Sequence, residues 1–264
     1  MRFGVVLPGG SAADQLDHAV LAEKSGWDGV FVWEAAYGVD AWTLLGAMAA
    51  RTERVKLGTM LTPLPWRRPW KVASQAATLD QLSNGRTILA VGLGAITQDL
   101  PLTGEVTELR ERADLLDEGI ELMRALWAGA GEHRGAKRGY SFERNDQLEV
   151  GRPVQDRIPI WVVGVWPRPK SMRRVLGCDG IIPQYPGHEG RPEDARALKS
   201  WLLEHGADPG IDVTAEGETP GDDPAAWAEA GCTWWLETRW EMPHHVPERM
   251  QQIRERLAAG PPRV

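Results

Sequence analysis

The sequence predicts a parallel α/β fold of the (β/α)₈ barrel type, and three observations predict it. Short apolar runs without strict alternation recur along the chain, as strands buried on both faces require. Segments whose apolar residues repeat at the 3.6-residue helical period lie between them. Glycine or Asn-Gly stops then close those helical segments.

The clearest unit is Arg54 to Ala95, RVKLGTMLTPLPWRRPWKVASQAATLDQLSNGRTILAVGLGA. Val55 to Met60 reads as a buried strand. Lys71 to Leu82 reads as a helix with Val72, Ala73, Ala76, Ala77 and Leu79 on one face, stopped by Asn84-Gly85, and Thr87 to Val91 is the next strand. Parallel strands joined by a helix cross over right-handed, so the loops after both strands share one face of the sheet.

The alternation continues on both sides. Phe3 to Leu7 and Gly29 to Trp33 are strands one and two, separated by a helix over Ala12 to Ser25. Asp40 stands as the N-cap of a helix reaching Arg51. After the fourth strand comes a long helix, Thr107 to Trp127. Gly129 to Arg157 has no sustained period and reads as an excursion with a hairpin around Tyr140 to Val150. Ile158 to Val163, Gly180 to Ile182, Ile211 to Ala215 and Thr233 to Leu236 supply strands five to eight. Helices over Pro169 to Gly177, Pro192 to His205, Pro224 to Ala230 and Pro247 to Ala258 follow them in turn. Eight strands favour the closed barrel over an open doubly wound sheet, and residues 1–264 read as one domain.

A net charge of −7, from 30 basic and 37 acidic residues, argues against a general nucleic-acid binder. Cys178 and Cys232 have neither metal-ligand spacing nor the number a disulfide framework needs, so reduced thiols are expected. No stretch of about 18 apolar residues and no signal pattern at MRFGVVLPGG is seen, which leads to the expectation of a cytoplasmic protein without membrane contact.

In a barrel the chemistry sits at the carboxyl ends of the strands. That rule selects Trp33-Glu34, Thr59 to Thr62, Gly92 to Gly94, Gly164 to Trp166, Pro183-Gln184, Glu216 and Glu237 to Arg239. Glu34 is the candidate for proton handling. Gly92-Leu93-Gly94 is either a tight turn or a place where backbone N–H groups approach a flat ring or a phosphate. It is not a dinucleotide fingerprint, because Thr97 stands where the third glycine belongs. Arg67 and Arg68 are a surface pair or a local anion site. Trp33, Trp66, Trp166 and Trp240, among thirteen tryptophans, could wall an apolar pocket. His244-His245 has no partner at metal-ligand spacing, and GxSxG, HExxH and CxxC motifs are absent, so no metal site is expected.

Several blocks resemble the luciferase-like flavin-dependent oxidoreductases, which bind FMN or the deazaflavin F420. They are GWDGVFVWE at Gly26 to Glu34, the Arg54 to Gly94 unit, LLDEGIELMRALWAG at Leu115 to Gly129, RPVQDRIPIWVVGVWP at Arg152 to Pro167, and CDGIIP at Cys178 to Pro183. The resemblance implies a barrel with FMN or F420 across the strand ends. It implies cofactor contacts from Thr59, Met60, Leu61, Gly92, Leu93, Gly94, Gly164, Val165 and Trp166, and a cis peptide at Met60-Leu61. Trp33, Tyr37, Trp66 and Arg67 are the accompanying candidates for contact with a small organic substrate.

Two departures stand out: Glu34-Ala35 replaces the family's Asp-His after strand two, and the region between strands six and seven is short. An imidazole acid–base mechanism is therefore not carried over at that position. The reading is an oxidoreductase, monooxygenase or hydride-transferring, with a flavin reductase as supplier of reduced cofactor and a homodimer left open. The alternatives are a non-catalytic flavin- or ligand-binding barrel, and an unrelated barrel lyase or isomerase acting on a phosphorylated substrate.

Overall fold

The structure, a computed structural model, describes residues 1–96, 104–137, 139–143, 151–238 and 247–263. Its strands are β1 (Arg2–Val6), β2 (Gly29–Val32), β3 (Lys56–Pro63), β4 (Thr87–Gly92), β5 (Glu132–Arg134), β6 (Ser141–Glu143), β7 (Ile160–Val165), β8 (Gly180–Gln184), β9 (Asp212–Gly217) and β10 (Trp234–Glu237). Its helices are α1 (Ala12–Lys24), α2 (Ala41–Ala49), α3 (Pro69–Leu82), α4 (Leu109–Trp127), α5 (Pro169–Val175), α6 (Pro192–Glu204), α7 (Pro224–Glu229) and α8 (Pro247–Ala258). Strands β1, β2, β3, β4, β7, β8, β9 and β10 close into a parallel barrel in that order, with β10 returning to β1. The expected (β/α)₈ architecture is borne out.

Alternation along each strand divides the apolar residues into two cores. Val30 and Val32 join the outer core under the helices, whereas Phe31 between them points into the barrel. Inside, Phe31, Trp161 and Trp234 pack in mutual contact with ring centroids 5.3 to 6.0 Å apart. Glycines make room for them. A Cβ at Gly180 would lie 2.2 Å from Trp161 Cδ1, and one at Gly29 would lie 3.0 Å from Trp234 Cζ3. The rings fill the barrel's centre and leave chemistry to its rim.

Local sequence signals set most element ends. Asp40 caps α2 by accepting from Thr43 N at 2.7 Å, as its position predicts. Helix α3 stops where Asn84 (φ 54°) and Gly85 (φ 81°) turn left-handed, the conformation that an Asn-Gly pair tolerates.

Four expectations need correction. Helix α4 begins at Leu109 rather than Thr107, because the Glu108 carboxylate accepts from Glu111 N at 2.7 Å and caps it. The hairpin of the excursion pairs Glu132–Arg134 with Ser141–Glu143, earlier than Tyr140 to Val150; residues 144–150 lie outside the described part. Strand β3 runs on to Pro63 through a register shift between Thr59 and Thr62. Strand β8 runs on to Gln184 despite Pro183. Gln184 O accepts from Trp166 N, so Pro183 faces β9, where pairing ends at Ile181 and no ladder bond needs the missing N–H.

Two buried carboxylates tie distant segments to the barrel. Asp80, fully buried in α3, accepts from Val154 N, Gln155 N and Gln155 Nε2 at 2.7 to 2.9 Å and fixes the chain's return from the excursion. Glu237, fully buried at the end of β10, accepts from Thr219 N at 2.6 Å and pairs with Arg256 Nη2 of α8 at 3.0 Å. No helix among the described residues is long and apolar enough to cross a membrane.

Candidate active site

Glu34 follows β2 directly, and its carboxylate is held by hydrogen bonds at one oxygen and an ion pair at the other. Oε2 accepts from Thr62 Oγ1 at 2.5 Å and from Trp42 Nε1 at 3.1 Å, while Oε1 pairs with Arg67. The side chain is only 7% exposed. Thr62 Oγ1 in turn lies 2.9 Å from Thr59 Oγ1, which reaches Ala90 O at 3.2 Å. This chain of contacts joins the ends of β2, β3 and β4 across the shifted register. Arg67 also gives Nη2 to Gln75 Oε1 at 2.9 Å, and burial lowers its pKa.

The peptide between Met60 and Leu61 is cis, as the resemblance implies. Met60, Leu61 and Val163 are partly exposed and sit on the interior aromatic and aliphatic column, forming an apolar floor at the mouth. Leu61 fits against Gly92, where an added Cβ would stand 3.0 Å from Leu61 Cδ1 and 3.1 Å from Val163 Cγ2. The glycine at 92 therefore leaves room for the floor itself.

The turn after β4 is clamped from helix α4. Buried Arg112 donates Nη1 to the carbonyls of Leu93 at 3.1 Å and Gly94 at 2.9 Å, and its guanidinium lies 5.7 Å from the Trp66 ring. Trp66 gives its Nε1–H to Val106 O at 2.8 Å, and its ring covers Gly94, where a Cβ would come within 2.3 Å. With φ at +79°, Gly94 is also in the region that favours glycine. Sequence reasoning missed Arg112, because one arginine in the charged run LRERADLLDEG carries no local mark of burial.

Near the end of β7, Gly164 packs so closely that a Cβ would lie 2.5 Å from Ile181 Cδ1. Val165 N donates to Ser171 Oγ at 2.9 Å, and the Trp166 ring packs edge-on against Trp201 of α6. The structure thus brings the segments Thr59 to Leu61, Gly92 to Gly94 and Gly164 to Trp166 to the ends of neighbouring strands. Trp33 is half-exposed beside them, whereas Tyr37 is almost wholly exposed in the following loop.

On the far side of the mouth, Gln184, His188, Glu216 and Thr238 line a cleft of about 240 Å³. Larger grooves of about 1020 and 670 Å³ lie one against α4 and α5, where it reaches Leu93 and Val165 at the strand ends, and one against α3 and α4. By the strand-end rule the mouth is the better place for chemistry, whatever the relative sizes. Among the described residues no group of three or more His, Cys, Asp or Glu side chains is placed to hold a metal ion. His244 and His245 lie outside them.

Comparison with known proteins agrees with this geometry. A family profile described as luciferase-like monooxygenase matches residues 1–262. An F420-dependent glucose-6-phosphate dehydrogenase from Microbacterium testaceum is 36% identical over 56% of this chain and 45% of its own length. One from Kineococcus radiotolerans is 30% identical over 91% of this chain and 75% of its own. The chain spans about half the length of the first curated relatives it matches. Among solved structures, an F420-dependent secondary alcohol dehydrogenase bound to an F420-acetone adduct superposes with a TM-score of 0.67 at 20% identity, covering 96% of this chain and 90% of that one. The oxygenating constituent of 3,6-diketocamphane monooxygenase from Pseudomonas putida, in complex with FMN, gives 0.65 at 22% identity over 83% and 67%. At these identities the structures share the fold.

Proposed function

The chain belongs to the luciferase-like monooxygenase family, and from that footing we propose that it is an oxidoreductase using FMN or F420 on a small organic substrate. The observation that carries this reading is the apolar floor of Met60, Leu61 and Val163, set beside the clamped turn Gly92 to Gly94. A flat heteroaromatic ring suits such a floor, and the neighbouring backbone offers polar groups at its edge. The named activities of the relatives, a sugar-phosphate dehydrogenase and a secondary alcohol dehydrogenase, favour hydride exchange with a hydroxylated substrate.

In this reading Met60, Leu61 and Val163 hold one face of the ring and exclude water from it. Leu93 and Gly94 border it, with Arg112 fixing their carbonyls from behind. Gly164 to Trp166 border the adjoining edge. The cofactor, when bound, supplies the hydride or oxygen chemistry that side chains lack. Glu34 acts by position: with both oxygens engaged, it holds Arg67 and the end of β3 so that the floor keeps its shape.

The test is a visible spectrum of the purified protein, followed by titration with FMN and with F420. Saturable binding of one of them supports the reading. Binding of neither at concentrations up to the millimolar range overturns it.

A further inference from the structure

The cleft at the ends of β8, β9 and β10 carries chemistry that the cofactor reading leaves unused. Val163 and Ile182 are register partners that both face the barrel interior, so Gln184, two residues on from Ile182, shares that face. Glu216 pairs in register with inward-facing Leu236 and shares its face. Gln184 and Glu216 thus form the wall of the cleft on the side of the barrel mouth.

His188 lines this cleft from the loop after β8. Its Nε2 lies 3.0 Å from Asp194 Oδ2, and that oxygen is itself fixed by Arg191 N at 3.1 Å at the start of α6. An ionised carboxylate only accepts, so in the neutral imidazole the contact places the proton on Nε2 and leaves a lone pair on Nδ1. Nδ1 has no hydrogen-bond partner among the described residues. The Tyr185 ring lies 6.0 Å from the imidazole, and its buried hydroxyl is likewise without a partner among them.

We propose that His188, oriented by Asp194, is the proton-transfer residue of this site and takes the hydroxyl proton of an alcohol or aldose bound in the cleft. The proposal rests on the cofactor reading above. As the carbinol C–H bond breaks, its hydride leaves for the oxidised flavin or deazaflavin. The O–H bond breaks with its proton going to Nδ1, the C–O bond becomes C=O, and the imidazolium later returns the proton to water. An imidazole would thus be supplied from β8 where Ala35 leaves none after β2.

The experiment uses the full chain, loaded with whichever of FMN or F420 binds, and a panel of secondary alcohols and aldoses as probes. His188→Asn is expected to lower kcat about 100-fold or more while KM and the cofactor Kd stay within about threefold of wild type. Imidazole in the buffer should restore part of the turnover of His188→Ala. Nitrogen-15 spectra should show His188 as the Nε2–H tautomer, with the preference lost in Asp194→Ala.

A kcat for His188→Asn close to wild type, an Nδ1–H tautomer in the wild type, or no oxidation of any probe by the loaded enzyme would overturn the proposal. Failure to bind either cofactor would be a different result. It would remove the cofactor reading first and the proposal with it.

Discussion

Leu61 occupies the space that a side chain at Gly92 would take, with Cδ1 3.0 Å from the position of that missing Cβ. The relationship couples two segments 31 residues apart: the shifted end of β3 can form a floor only because β4 ends in glycine. A second relationship of the same kind joins Trp66 to Gly94, so each glycine of the turn serves a neighbouring side chain.

Arg112 should be as important to the turn as the glycines. Arg112→Met keeps the aliphatic stem but releases the carbonyls of Leu93 and Gly94, and charged hydrogen bonds of this kind are worth about 1.5 to 3 kcal/mol. We expect a fall in melting temperature of several degrees and weaker cofactor binding. Calorimetry and ligand titration of the variant measure both. An unchanged melting temperature would mean that the clamp does not hold the turn.

Glu34→Gln separates position from proton transfer. The amide cannot form the ion pair with Arg67, and it has only one oxygen where the carboxylate has two. Cofactor affinity and turnover should therefore fall together. A loss confined to kcat would instead identify Glu34 as an acid–base group.

Much of this was legible in the sequence because it rests on local chemistry. Buried parallel strands announce themselves as short apolar runs, and Asn84-Gly85 and Asp40 mark helix ends by backbone preference and side-chain capping. The strand-end rule then located the rim before any contact was known. What remained hidden depends on long-range partners. Trp42 and Thr62 lie 8 and 28 residues from Glu34, and nothing in the strand pattern discloses that they claim its oxygens. Pro183 reads as a strand end because local preference cannot report that β9 has ceased to pair there. His188 sits in a loop and Asp194 in the first turn of α6, and the sequence around them carries no motif.

Glu237 and Arg256 tie the last barrel strand to α8. Glu237 is fully buried and accepts from Thr219, Arg256 and Trp235. Glu237→Ala leaves the guanidinium, which lies over Trp27, without its counter-charge. Removing one member of such a pair costs about 3 to 5 kcal/mol. Chemical denaturation should show a loss of that order, and a loss below about 1 kcal/mol would mean that the pair contributes little to stability.

Acid should act through His18. It is fully buried in α1 with both ring nitrogens unpartnered among the described residues, and burial, then Arg254, lower its pKa against the opposing pull of Asp14 and Asp17. The unfolded chain binds the proton near pH 6.5 while the folded chain resists it. Stability contributed by neutral His18 is complete above that pH and is lost as pH falls towards the folded-state value. Denaturant midpoints at pH 7.5 and 5.5 should drop more for wild type than for His18→Met, and equal drops would contradict this origin.

The most direct measurement is the equilibrium dissociation constant of the wild-type protein for FMN and for F420, with Gly92→Val titrated alongside. The valine would press on Leu61 and Val163 and deform the floor, at a folding cost of about 1 to 3 kcal/mol that leaves the chain folded. The expected result is saturable binding of one cofactor by the wild type, at least tenfold weaker in a folded Gly92→Val. Binding of neither cofactor, or equal affinity in the two proteins, would contradict a flavin or deazaflavin resting on Met60, Leu61 and Val163.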